Sequence, residues 1–246
     1  MHSERPVRCV ARKKIVFVIV EGPSEDDALG VLLEQIYDKN HVFLYIAHCD
    51  ITAEFYSNSS SYNIKTRVGN IVKEYAKSNH LDKKDFQEIV HIVDTDGAFI
   101  PDVNVCEDVS RNEPNYTPTK ILTRNVDKIR ERNKRKSQSL NKMILSEAIW
   151  GVPYQVYYMS CNLDHVLYDK QNSSDADKEK DSLAFAQKYR RDVDSFVHLI
   201  CDSDFSVSGE YKETWNYIRE GLHSLERHTN FGICLKKATM SQDKDN

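Results

Sequence analysis

The chain has 246 residues, 40% hydrophobic and 29% charged, a balance that supplies a real core and excludes both a disordered chain and a disulfide-stapled mini-protein. Its length suits one large domain or a domain with an appended lobe. Lys and Arg number 34 against 38 Asp and Glu, so the formal charge is -4, no global positive field holds a polyanion, and any nucleic-acid contact relies on a local patch. Cysteines 9, 49, 106, 161, 201 and 234 form no CxxC pair and no Cys/His cluster, which argues against structural zinc and for a reducing, cytoplasmic compartment. The apolar run before Glu21 is too short for a signal-peptide core or a membrane span, so no membrane association is expected.

Residues 15–20 (IVFVIV) are continuously apolar and rich in β-branched side chains, the mark of a strand buried on both faces. After Glu21-Gly22-Pro23, Ser24 is placed to cap a helix in which Ala28, Leu29, Leu32, Leu33 and Ile36 recur at helical spacing. Residues 42–47 read as a second strand, and Ile64, Val68, Ile71, Val72 and Tyr75 mark a second amphipathic helix. Residues 89–93 form a third strand that stops at Asp94-Thr95-Asp96-Gly97. This alternation implies an α/β fold with crossover connections and a mostly parallel sheet.

Residues 99–118 contain Pro101, Pro114 and Pro118 and no clean period, so they read as a long surface loop beside the third strand's carboxyl end. From 120 to 142 a basic helix is expected, with nine Lys and Arg against only Asp127 and Glu131. Residues 154–159 read as a fourth strand, and Asn162-Leu163-Asp164-His165 opens a short helix. Residues 171–181 look loop-like, 183–197 and 211–225 helical, and the closing SQDKDN a loose tail. The organisation expected is a core over 13–170 with an insertion after the third strand, and a helical extension over 171–240 packed on it.

Acids gather at two strand ends. In a parallel sheet ligands bind beyond the carboxyl ends of strands, so Glu21, Asp94 and Asp96 converge if the first and third strands are neighbours. Confined carboxylates repel one another unless protonated or neutralised by a divalent cation, and hard oxygen donors favour magnesium or manganese. Glu25, one turn along the helix, either adds a metal ligand or favours the helix N-terminus electrostatically. Asp26 and Asp27 read as capping and solvated charge. Asp164 is either a late ligand or an ordinary first-turn acid beside an Asn162 cap. Lys120, Arg124 and Lys128, spaced for one helical face, are candidate phosphate contacts; the alternative is a solvated surface. His91 reads as packed in its strand, and His165 as a surface cap or a proton or phosphate contact. The acids of CDSDF (201–205) read as a turn, and Trp215, Ile218, Leu222 and Leu225 as a packing stripe.

With these residues in view, EGPSEDDAL after IVFVIV and DTDG after IVHIV resemble the TOPRIM domain, the metal-binding module of topoisomerases, primases, RNA-maturing nucleases and overcoming-lysogenization-defect nucleases. The resemblance covers about residues 13–100 and weakens beyond Gly97. It implies a Rossmann-like core with Glu21, Asp94 and Asp96 as catalytic and metal-binding residues, and Glu25 matches an additional acid of the defence-type nucleases. SCNLDHVLYD is similar to the asparagine-leucine-acid signature of small stand-alone TOPRIM-like proteins of bacterial defence and restriction-associated loci, which implies a ligand role for Asp164. Without a P-loop, a gyrase-like or primase-like companion domain or a strand-passage tyrosine, topoisomerase activity is disfavoured. The function implied is a Mg2+- or Mn2+-dependent phosphodiester nuclease acting on RNA or DNA as an anti-phage defence effector, with a separate ATPase partner. The alternatives are a non-catalytic metal- or nucleotide-binding regulatory subunit and a nucleotidyl or phosphate transferase, which requires a base slot.

Overall fold

The apolar run of the first strand forms β1 (Ile15–Val20), every residue of which is buried in the computed structural model. The structure describes residues 13–37, 41–46, 52 and 64–243. Expectations for Cys9, Ala47, Cys49 and the last three residues of the tail lie outside them.

In chain order, α1 (Pro23–Ile36), β2 (His41–Ile46), α2 (Ile64–Ser78) and β3 (Phe86–Asp94) follow β1. Next come β4 (Val105–Glu107), β5 (Asn115–Tyr116), β6 (Ile121–Thr123), α3 (Val126–Ile144), β7 (Ala148–Ile149) and β8 (Val152–Met159). The chain then runs through α4 (Leu163–Tyr168), α5 (Asp175–Tyr189), α6 (Val193–Asp202), α7 (Tyr211–Ile218) and α8 (Gly232–Asp243). The result is a mixed α/β fold with a five-stranded sheet in the order β2-β1-β3-β8-β7 and a three-stranded sheet in the order β4-β6-β5. In the larger sheet β1 pairs parallel with β2 and β3, β3 pairs parallel with β8, and β7 turns back antiparallel on β8.

A strand's period of two explains how a continuous apolar run serves two cores. Val16, Val18 and Val20 of β1, with Val90, Ile92, Tyr157 and Met159, pack beneath α1, α5, α6 and α8. Ile15, Phe17 and Ile19 point the other way, joining Ile89, Val93, Tyr154, Val156 and Tyr158 beneath α2, α3 and α7. His91 falls on this second face, fully buried, with Nδ1 3.0 Å from the Tyr154 hydroxyl, as expected of a packed histidine. A third cluster, of Ile100, Val105, Ile121, Ile129, Cys161 and Leu225, ties the small sheet to the DTDG loop.

Several boundaries differ from expectation. The N-cap of α1 is Gly22 rather than Ser24, with Pro23 in the first turn and no side-chain cap; proline's fixed φ starts the helix without one. The long loop of 99–118 contains β4 and β5, strands of three and two residues that have no periodicity to read. The basic segment is not one helix from 120. It begins with β6, and α3 starts at Val126 behind an Asn125 cap that accepts from the Lys128 amide. Residues 175–181 are helical, because Ser174 caps α5 by accepting from the Asp177 amide. The expected helix over 183–197 breaks after Tyr189, and Asp192 caps α6 anew. Residues 211–225 yield only α7, whereas the tail's first three residues complete α8. Trp215, Ile218 and Leu225 are fully buried, as a packing stripe requires, while Leu222 packs at the edge of the third cluster.

Cysteines 106, 161, 201 and 234 form no disulfide. Among the described residues no helix is long and apolar enough to cross a membrane.

Candidate functional site

Because β1, β3 and β8 are adjacent and parallel, their carboxyl ends share one edge of the sheet. Glu21 follows β1, Asp94 closes β3, and Asn162 caps α4 just beyond β8 and presents Asp164 in its first turn. The Asn162 side chain accepts from the His165 amide, 2.9 Å away, so it acts as a cap, and Asp164 is buried rather than solvated. With Glu25 from the first turn of α1 these side chains line a single cavity of about 600 Å³, closed on another side by Asp175, Lys178 and Glu179 of α5. The first and third strands are neighbours, and of the three acids expected to converge, Glu21 and Asp94 line the cavity, with Glu25 and Asp164 beside them, and Asp96 does not.

Asp96 goes elsewhere. The segment between Asp94 and Gly97 is held by Thr95, whose hydroxyl donates to the Ser224 carbonyl at 2.8 Å and accepts from the Cys161 amide at 2.8 Å. The Asp96 amide donates to the Cys161 carbonyl, and Asp96 itself takes a left-handed φ of 49°. Gly97 follows at φ 66°, where a Cβ would lie 2.7 Å from Leu225 Cδ2, so only glycine fits. This turn carries the Asp96 carboxylate away from the cavity lining and onto α3. There Lys136 Nζ donates to Oδ2 at 2.5 Å and the Tyr116 hydroxyl donates to Oδ1 at 3.2 Å. Arg132 completes the cage, donating to the Asp96 carbonyl at 2.8 Å and to the Tyr116 hydroxyl at 2.7 Å. Lys136 has no solvent exposure and also lies 3.7 Å from Glu21 Oε1, so it joins the two halves of the acidic group. Glu21 Oε1 in turn accepts from the Asp94 amide at 3.3 Å.

The electrostatics follow this division. Burial raises the Asp94 carboxyl well above the usual range, and the charges of Glu25, Asp96 and Asp164 push it further against the pull of Lys136. Glu25 is pushed up to about 7, chiefly by burial and then by Asp164, with Lys178 among the groups opposing. Asp164 is raised by burial too, with Lys178 opposing. Burial would also raise Asp96, but the charges of Lys136 and Arg132 overcome it and hold the carboxyl below its usual value. In the cavity, burial therefore outweighs the opposing charges of Lys136 and Lys178 and raises Glu25, Asp94 and Asp164, whereas at Asp96 the cations win.

Such a donor set suits a hard divalent cation. Among the described residues no three His, Cys, Asp or Glu side chains stand close enough to enclose a metal as they are. Magnesium does not need that enclosure, since it keeps several waters and takes one or two carboxylates directly. On those terms one or two of the carboxylates that line the cavity, those of Glu21, Glu25, Asp94 and Asp164, would hold the ion directly and its waters would meet the others.

The basic residues chosen from spacing do not share a helical face. Lys120 precedes β6, Arg124 follows it, and only Lys128 lies on α3. All three are exposed, but Arg124 directs Nε and Nη2 to the Val109 carbonyl, and Arg130 does the same to that of Asp102. These arginines fasten the insertion that carries Tyr116 toward Asp96. His165 is buried rather than a surface cap, because α4 lies against β8, and burial lowers its pKa.

Lys136, Arg132, Tyr116 and Lys178 are the site residues that spacing alone passed over. A signal for Lys136 was present: Ile129, Asn133, Lys136, Leu140 and Met143 follow one another at intervals of three and four residues, and all are buried. A lysine on the inward stripe of an amphipathic helix calls for a buried acidic partner.

Comparison with protein-family models, curated proteins and solved structures finds no match to this chain.

Proposed function

We propose that the chain is a divalent-metal-dependent phosphodiester nuclease with a TOPRIM-like core, acting on RNA or DNA. The observation that carries this reading is the convergence of Glu21, Glu25, Asp94 and Asp164 on one cavity at the ends of three adjacent strands. A magnesium or manganese ion held there supplies Lewis acidity toward a phosphate oxygen and a more acidic water. In the chain's own part of the reaction, ionised Asp94 and Asp164, with Glu21 beside them, would hold the ion, and Glu25, pushed up to about 7, would give up its proton near neutral pH to join them. Lys178 on the cavity wall and exposed Lys120 and Lys128 offer positive charge to the flanking phosphates. The likeness of the acidic motifs to defence-type nucleases supports a role as a cytoplasmic anti-phage effector working with a separate ATPase.

A second reading, a metal- or nucleotide-binding regulatory subunit that does not cut, draws on a different observation. An apolar cavity of about 460 Å³ between α6 and α8, lined by Ile200, Val207, Ile233 and Met240, provides the partner-facing surface that reading needs.

Cleavage assays on mixed tRNA, single-stranded RNA and supercoiled DNA with Mg2+ or Mn2+ separate the two. Wild-type protein is expected to cut at least one polymer, and Glu21→Gln and Asp94→Asn to lose about a hundredfold or more of that activity. No cutting of any substrate, with and without candidate ATPase partners, favours the regulatory subunit.

A further inference from the structure

A groove of about 590 Å³ runs between α1 and α5 beside β2, separate from the acidic cavity except at Asp27, which lines both. We infer that it is a docking surface for another protein, whose partner segment is a cationic amphipathic helix that seats apolar side chains in the groove and sets Lys or Arg against its acidic rim.

Each helix gives the groove one face. Asp27, Val31 and Glu34 of α1, and Leu183, Ala186 and Arg190 of α5, recur at intervals of three and four residues, so each face runs for about two turns, about 10 Å. That length suits the anchors by which an amphipathic helix lies in a groove. The walls are apolar and uncovered: Val31 is 48% exposed and Leu183 46%, two of the six large apolar side chains that stand exposed among the described residues. Val42 of β2 lines the groove with them.

The rim sets the charge of the occupant. Asp26, Asp27 and Glu34 line the groove against a single cation, Arg190, and among the described residues no hydrogen bond or ion pair reaches any of the three carboxylates. Asp26 is half-buried, and burial, then the charges of Asp27 and Glu34, raise its carboxyl above the ordinary value, a strain that a partner's cation relieves. The same acids repel nucleic acid, and among the described residues they do not group closely enough to hold a metal. A second copy docked symmetrically on this face would bring the three acids against their own counterparts.

The test is fluorescence anisotropy of two labelled synthetic amphipathic peptides titrated with the full chain, one with Leu on one helical face and Lys on the other, the second with Glu in place of Lys. The Lys peptide is expected to bind, more weakly as salt rises, and the Glu peptide not to bind. Asp26→Asn with Glu34→Gln is expected to weaken binding about fivefold to tenfold and to flatten the salt dependence. Val31→Ser with Leu183→Ser is expected to weaken it about tenfold or more while the salt dependence stays. Glu107→Gln with Glu147→Gln, the same change of charge at exposed residues that do not line the groove, is expected to leave binding as it is. Failure of the Lys peptide to bind the wild type, equal binding of the two peptides, or groove variants no weaker than the Glu107 and Glu147 control overturns the inference. So does a wild-type dimer in sedimentation velocity that Val31→Ser with Leu183→Ser dissolves, because a second copy then fills the groove. Where one groove variant fails to fold by circular dichroism, the other decides. These readouts do not involve cleavage and stand apart from the nuclease reading.

Discussion

Asp94→Asn is expected to melt above the wild type at about pH 8 in the absence of divalent ions. The reason is the environment that raises its pKa: burial first, then the charges of Glu25, Asp96 and Asp164. A carboxyl whose folded pKa lies above its unfolded value costs no stability below the unfolded value, where both states hold the proton. As pH rises past it, the unfolded chain ionises while the folded one does not, and stability falls until the folded pKa is reached. The penalty persists above that point, and asparagine removes it. Added Mg2+ is expected to reverse the order, because the ion stabilises the wild type by mass action and has lost a ligand in the variant. Differential scanning calorimetry with and without Mg2+ checks both halves. A variant that melts below the wild type in the metal-free state contradicts the crowding of charge at this site.

The second large effect concerns pH. Glu25 is held at about 7 against an ordinary value of 4.5, and a metal must displace its proton to use it. Mn2+ affinity is therefore expected to rise with pH by about tenfold per unit for each proton displaced, with the Glu25 contribution levelling off above about 7. Glu25→Gln is expected to bind more weakly at high pH and to show a shallower slope through neutrality. Titrations at a series of pH values measure this directly; an unchanged slope in the variant removes Glu25 from the metal's surroundings.

The main sheet and the cavity were legible because they rest on local patterns. IVFVIV is apolar at every position and IVHIV (89–93) at every position but His91, which a doubly covered strand explains, and each ends at an acid. The Asn162 cap likewise announced α4. The fate of Asp96 was not legible, since Thr95 turns it by bonding to Ser224, which is 129 residues away in sequence. The motif places both aspartates at one strand end, but long-range hydrogen bonds direct their carboxylates to different surroundings. The basic segment misled for a related reason: counting charges cannot tell an arginine that fastens a loop, such as Arg124 on Val109, from one left for a ligand. The small sheet is built from strands too short to show alternation and exists through its packing on Ile129 and Leu225.

The central claim is that the acids ending β1, β3 and β8 form one divalent-cation centre. Anomalous diffraction from crystals of the wild type grown with Mn2+ tests it most directly. A manganese peak within the cavity bounded by Glu21, Glu25, Asp94 and Asp164 is the expected result. An empty cavity at saturating Mn2+, or a peak only at surface carboxylates elsewhere, would contradict it.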